Sequence, residues 1–100
     1  MTQQITMVRL YLSEARDHSE RVVKWLHDDG RVRGVSVFRA VEGFGSDGEI
    51  KKASLISLSL ELPVVIEFFD TPDNVSAVLK ELSAIVKADH IVSWSAHSGI

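Results

Sequence analysis

Residues 62–73 read LPVVIEFFDTPD and combine a strand with the start of a helix. Proline is tolerated at the first residues of a strand, so Pro63 marks the entry to a β-strand predicted over residues 64–69. Thr71 can cap a helix, and Pro72 suits its first position. Apolar residues then recur at helical spacing, which predicts an amphipathic helix whose stripe forms core. The stripe comprises Val75, Val78, Leu79, Leu82, Ile85 and Val86.

The rest of the chain supplies three strands, a helix and a long loop. Alternating or β-branched apolar residues predict strands over residues 5–12, 35–41 and 91–96. Helical spacing of Val22, Val23 and Leu26 predicts a helix over residues 19–29, with Gly30 as its stop. Three glycines between residues 43 and 48 are expected to break any ladder, so the second strand opens into a loop over residues 43–60. Whether its segment 55–60 forms a hairpin arm or a disordered excursion stays open, and we expect residues 46–58 to be mobile without a ligand.

The element order is βαββαβ, which predicts an α+β fold. In this ferredoxin-like sandwich a four-stranded antiparallel sheet carries both helices on one face. A chain of 100 residues fits a single domain spanning residues 1–100. The other sheet face carries apolar residues on the alternate positions, namely Met7, Tyr11, Val65 and Phe69. Because monomers rarely expose a large apolar patch, we expect a homo-oligomer formed through the sheet.

Composition excludes several classes of function. Lys and Arg number 11 against 14 for Asp and Glu, so a net charge of -3 makes nucleic acid a poor partner. The absence of cysteine excludes disulfides and thiolate metal sites. No basic leader or membrane-length apolar run is present, which favours a cytoplasmic location.

Three sequence motifs in register resemble the nitrogen-regulatory P-II superfamily. They are Gly34-Val35-Ser36-Val37, Glu42-Gly43-Phe44-Gly45 and Leu62-Pro63-Val64-Val65-Ile66-Glu67. The spacing is most similar to the P-II-like branch known as domain of unknown function 190. The resemblance implies a homotrimeric, non-catalytic signalling protein. Its long loop would change shape when an effector binds between subunits, and would regulate a target protein such as a membrane transporter.

In P-II proteins the effector is an adenine nucleotide, and no further cofactor is required. Carried over by position, the resemblance implies a base pocket and a set of phosphate partners. The base pocket would comprise Ser36, Gly43, Phe44, Gly45, Glu67 and Phe69, and the phosphate partners would be drawn from Arg39, Lys51 and Lys52. An ion pair of Arg39 with Glu67 or Glu14 is an equal alternative for that residue.

Two departures from the family pattern favour AMP or ADP over ATP. The family's second glycine-rich loop, which ends in lysine, is replaced by Lys87-Ala88-Asp89-His90, and the chain ends without the family's arginines. A triphosphate would therefore meet few cations.

Two other functions remain open from the sequence. A small enzyme, or an enzyme subunit, would use the cleft between subunits for chemistry, although no catalytic constellation is visible. A metal-responsive trimer like the copper-tolerance proteins is disfavoured, because the four histidines at positions 18, 27, 90 and 97 lack metal-ligand spacing. We therefore assign no metal ligand and no catalytic residue. The sequence does not identify the effector or the target.

Overall fold

The computed structural model describes residues 1–14, 16–45, 47–52 and 62–99. Within these residues one sheet is built from β1 (Thr2–Ser13), β2 (Val35–Arg39), β5 (Pro63–Asp70) and β6 (Ile91–Gly99). The strand order is β2-β5-β1-β6, and every neighbouring pair is antiparallel. This is the predicted ferredoxin-like arrangement. Three strands extend beyond their predicted bounds, while β2 ends at Arg39 instead of residue 41.

Helix α2 (Pro72–Leu82) begins as the sequence predicts. The Thr71 side chain accepts a hydrogen bond from the Asn74 N–H at 3.3 Å, and Pro72 occupies the first turn. The helix ends at Leu82, four residues before the predicted end of the stripe. Val86 is still buried, but Ile85 is exposed, so the assignment of Ile85 to the core was wrong.

Helix α1 (Ser19–Trp25) starts at the predicted residue and continues into a π-helical turn at Leu26–Gly30. The sequence predicted an α-helix stopped by Gly30. The left-handed residue that ends the turn is instead Arg31, with φ of 54°. Gly30 has a packing role, because a Cβ there would lie 3.1 Å from the Trp25 ring.

Both helices pack on the same face of the sheet. The core forms where the helices pack on alternate residues of β1 and β5. Its helical residues are Val22 of α1, Leu26 of the π turn, and Val75, Val78 and Leu82 of α2. The strand residues of the core are Val8, Leu10, Leu12, Val64, Ile66 and Phe68.

We call the opposite side of the sheet the open face. Strand register places Met7 beside Phe69 and Tyr11 beside Val65 there, as the sequence predicted. Phe38 of β2 and Trp94 of β6 share this face and are exposed. The described chain thus leaves aromatic side chains in solvent on the face without helices.

The long loop starts with a short ladder, because β3 (Glu42–Gly43) pairs with β4 (Lys51–Lys52). The prediction that the glycines would break any ladder was therefore wrong at Gly43. Residues 46 and 53–61 lie outside the described residues, and so does the possible arm at residues 55–60.

Candidate functional site

A cleft of about 350 Å³ opens where the end of β1, the loop and the start of β5 meet. Its lining includes Gly43, Phe44, Gly45 and Lys51, four of the residues singled out from the sequence, together with Tyr11 of the open face. We call it the loop-root cleft. Gly43 packs closely against Pro63, because an added Cβ would lie 3.0 Å from Pro63 Cγ and the proline ring would have to shift. At Gly45 an added Cβ would meet no heavy atom within 4 Å, so only cleft space lies beside it.

Cations surround this cleft from three parts of the chain. Arg16 follows β1, Lys51 belongs to β4, and Lys87 lies after α2. Asp47 lies among them, with Oδ2 3.2 Å from Lys51 Nζ and 4.0 Å from Arg16 Nη2. The Glu49 N–H and Lys51 lower the pKa of the Asp47 carboxyl. Asp17 also lines the cleft, so three positive charges face two negative ones, and the remaining positive charge suits an anionic ligand.

A second cleft, of about 500 Å³, lies at the far end of β5. We call it the strand cleft; its lining includes the sequence-predicted residues Ser36, Glu67 and Phe69. Arg33 also lines it, with its guanidinium carbon 6.0 Å from the Phe69 ring centroid and Nε 3.6 Å from Asp70 Oδ1. The strand cleft thus offers an aromatic ring, a hydroxyl and a carboxylate side by side.

The Glu67 carboxylate forms an ion pair with Arg9 on the open face. Arg9 Nε donates to Glu67 Oε2 at 2.7 Å, and this hydrogen bond raises the pKa of the Arg9 guanidinium. The same guanidinium lies 5.5 Å from the Trp94 ring centroid. Glu67 therefore lines the strand cleft with one carboxylate oxygen already bonded to Arg9.

Arg39 and Lys52, two of the predicted phosphate partners, line neither cleft. Arg39 forms a two-point ion pair with the buried Glu14, which is one of the two structural alternatives left open by the sequence. The hydrogen bonds from Arg39 lower the pKa of the Glu14 carboxyl. Lys52 is exposed beside its inward-facing neighbour Lys51.

Four basic residues enter the clefts without having been singled out as ligand contacts. These are Arg16, Lys87 and His90 in the loop-root cleft and Arg33 in the strand cleft. Lys87 precedes the short turn at the position of the family's second glycine-rich loop and His90 ends it, and that position is the signal that identifies them. Arg16 carries no comparable sequence signal.

The described residues contain no group of three or more His, Cys, Asp or Glu side chains placed to hold a metal ion. In that same part of the chain, no helix is long and apolar enough to cross a membrane.

The sandwich of one antiparallel sheet and two helices, with a long loop rooted beside a cationic cleft, is a PII-like fold. The sequence profile of DUF190, described as an uncharacterized ACR family, matches residues 5–98, and the chain belongs to this family. A UPF0166 protein from Aquifex aeolicus is 32% identical over 80 residues, covering 76% of each chain. The P-II-like resemblance and the branch named from the sequence are confirmed.

Solved structures share the fold at lower sequence identity. CPII from Thiomonas intermedia K12, a nitrogen regulatory PII-like protein bound to ADP, AMP and bicarbonate, superposes with a TM-score of 0.77 at 17% identity. The match covers 100% of this chain and 92% of CPII. The divalent ion tolerance protein CutA1 from Ehrlichia chaffeensis gives a TM-score of 0.62 at 13% identity, over 96% and 82% of the chains.

Proposed function

We propose that this protein is a homotrimeric, non-catalytic PII-like regulator that binds AMP or ADP between subunits. The observation that carries the proposal is the loop-root cleft, where Arg16, Lys51 and Lys87 converge on the glycines of the loop. Cations and a close backbone approach are what a phosphate group requires. The ligands of CPII, whose fold this chain shares, support an adenine nucleotide as the effector.

The two clefts supply complementary halves of a nucleotide site. The loop-root cleft has the chemistry for phosphate, whereas Phe69, Ser36 and Glu67 of the strand cleft can stack against a base and hydrogen-bond to it. Within one chain the halves are far apart. Pro63 lines one cleft and Phe69 the other, six residues along β5, and an extended strand of that length spans about 20 Å.

A mononucleotide therefore engages both halves only if two subunits bring them together. Both clefts border the open face, through Tyr11 in one and Phe69 in the other. Packing open faces against each other would bury the exposed aromatic residues, which is the hydrophobic driving force for the trimer. The same packing would place the strand cleft of one subunit against the loop-root cleft of its neighbour.

A bound nucleotide would influence a target protein by changing the loop. Phe44 is exposed at the cleft and Ile50 is exposed two residues after Gly48, so apolar side chains flank the phosphate contacts. Ordering this segment around a bound nucleotide would change the surface offered to a cytoplasmic target, for example the cytoplasmic side of a membrane transporter. Lys87 adds a cation that the sequence did not lead us to expect, and AMP and ADP remain the proposed effectors.

Calorimetric titration with AMP, ADP and ATP tests this function, with GDP as the control for base recognition. We expect dissociation constants in the micromolar range for AMP or ADP, about -8 kcal/mol, and weaker binding of GDP. Hydrogen exchange of residues 47–52 should slow when ADP is bound. Absence of adenine nucleotide binding at millimolar concentration would overturn the proposal.

A further inference from the structure

The 3-10 turn Ala88–His90 directs two side chains into the loop-root cleft. The His90 N–H donates to the Lys87 carbonyl at 2.9 Å, which closes the turn. Side chains three residues apart in such a turn lie on the same side, and Lys87 and His90 both line the cleft. The His90 side chain is about one-third exposed, so solvent protons and a bound ligand both have access to it.

The charged and titratable groups around His90 come from every side of this cleft. Cations are contributed by Arg16 and Lys51, and Lys87 shares the turn with His90. The remaining groups are Tyr11 of β1, Asp17 after it, Asp47 of the loop and Asp89 of the turn itself, whose Oδ1 lies 4.0 Å from His90 Nε2. Histidine is the residue type whose charge ordinarily changes between about pH 5 and 8, whereas arginine, lysine and aspartate ordinarily keep theirs.

We propose that His90 makes the affinity of the loop-root cleft for nucleotide phosphate depend on pH, strengthening binding as the solution becomes more acidic between pH 8 and pH 6. This inference rests on the proposed function, because it assigns the regulation of the same site. Protonated imidazole adds a positive charge and donates from both ring nitrogens. Neutral imidazole has one donor and no charge. Protonation and phosphate binding are linked, so each favours the other.

The direction of the pH effect on affinity follows from the groups that surround the His90 ring. A bound phosphate faces Lys87 and His90 together, so the added charge strengthens a cluster that is already cationic. The terminal phosphate of ADP also titrates near pH 6 and loses charge on acidification. That change is common to every variant of the protein, so it cancels when variants are compared at the same two pH values.

The experiment measures ADP dissociation constants at pH 6.0 and 8.0 for the wild-type protein, His90→Gln and His90→Lys. The matched control is His27→Gln, which removes an exposed histidine paired with Asp28 outside the cleft. From pH 8.0 to pH 6.0 we expect ADP affinity to rise about fivefold to tenfold more in the wild-type protein than in His90→Gln. His90→Lys should bind ADP more tightly than the wild-type protein at pH 8.0, and its pH dependence should resemble that of His90→Gln. His27→Gln should match the wild-type protein.

The outcomes separate the inference from the proposed function. Equal pH dependence in the wild-type protein and His90→Gln, with ADP bound by both, would overturn the role of His90 and leave nucleotide binding in place. A pH effect lost equally in His27→Gln would also overturn it. Failure of the wild-type protein to bind ADP at either pH would overturn the proposed function and this inference together.

Discussion

The loop-root cleft and the strand cleft differ in charge and in the ligand groups they can hold. One gathers Arg16, Lys51 and Lys87 around glycines, while the other places Phe69 and Glu67 at the opposite end of β5. Within the described residues, no side chain lines both clefts. The difference teaches that, under the proposed function, one chain would hold two incomplete halves of a nucleotide site, so ligand binding and subunit assembly are expected to depend on each other.

The largest expected effect comes from separating the two halves by breaking the assembly. Phe38 and Val37 are neighbours on β2 with exposures of 54% and 44%, but they point to opposite faces of the sheet. Phe38→Asp should convert the proposed trimer to monomers, because burying an unpaired carboxylate between subunits is strongly unfavourable. Val37→Asp is the matched control and should leave the trimer intact, as measured by light scattering.

ADP titration of the same two variants extends the comparison. Phe38→Asp should lose ADP binding although Phe38 lines neither cleft, and Val37→Asp should keep it. A monomeric Phe38→Asp protein that binds ADP normally would show that one cleft suffices.

An effect of intermediate size is expected from the cations of the loop-root cleft. Lys87→Ala should weaken ADP binding about tenfold, because it removes a charge-assisted contact with phosphate. Lys52→Ala is the matched control, since Lys52 is an exposed lysine outside the cleft lining, and should change affinity less than about twofold. Equal losses in the two variants, measured by calorimetry, would point to diffuse electrostatic attraction and against a phosphate site at this cleft.

The smallest effect concerns the ion pair between Glu14 and Arg39, which lies outside both clefts. Arg39 lowers the pKa of Glu14 in the folded chain, so ionised Glu14 stabilises the fold above its unfolded pKa, and this contribution is lost as pH falls. Glu14→Gln should therefore lower the thermal midpoint by a few degrees at pH 7. The difference from the wild-type protein should shrink progressively below about pH 5.

Thermal unfolding followed by circular dichroism at pH 7 and at pH 3.5 measures this change, and ADP affinity at pH 7 serves as the control. A stability difference that grows on acidification would contradict the pairing of Glu14 with Arg39. A loss of ADP affinity as large as that of Lys87→Ala would place the ion pair within the site.

Much of the fold could be predicted because its signals are local. Thr71 and Pro72 mark a helix start by their own chemistry, and alternation along β1 and β5 separates the core from the open face. The end of α1 could not be predicted, since the left-handed residue that ends the π turn is Arg31 and not the glycine before it.

The candidate site was predictable only where a motif marked it. Residues 43–45 stood out by their glycines, but Lys87 reaches the same cleft only through the folding of a distant turn. Arg39 illustrates a different limit. Its pairing with Val64 in the sheet register puts it on the helix-covered face with Glu14, whereas Glu67 lies on the open face, and one residue of register would reverse this.

The central claim, that each nucleotide site is shared by two subunits, is tested most directly by mixing two defective subunits. Gly45→Val blocks the loop-root cleft and Gly34→Val blocks the strand cleft. At both positions an added Cβ meets no heavy atom within 4 Å, so the fold should tolerate each change. Trimers made of either variant alone should bind no ADP at micromolar concentration, because every site would contain one blocked half.

Mixed trimers purified through two different affinity tags should regain about one ADP site each, since one interface then unites two intact halves. Binding by Gly34→Val trimers alone, or no recovery in the mixed trimers, would contradict a site shared between subunits.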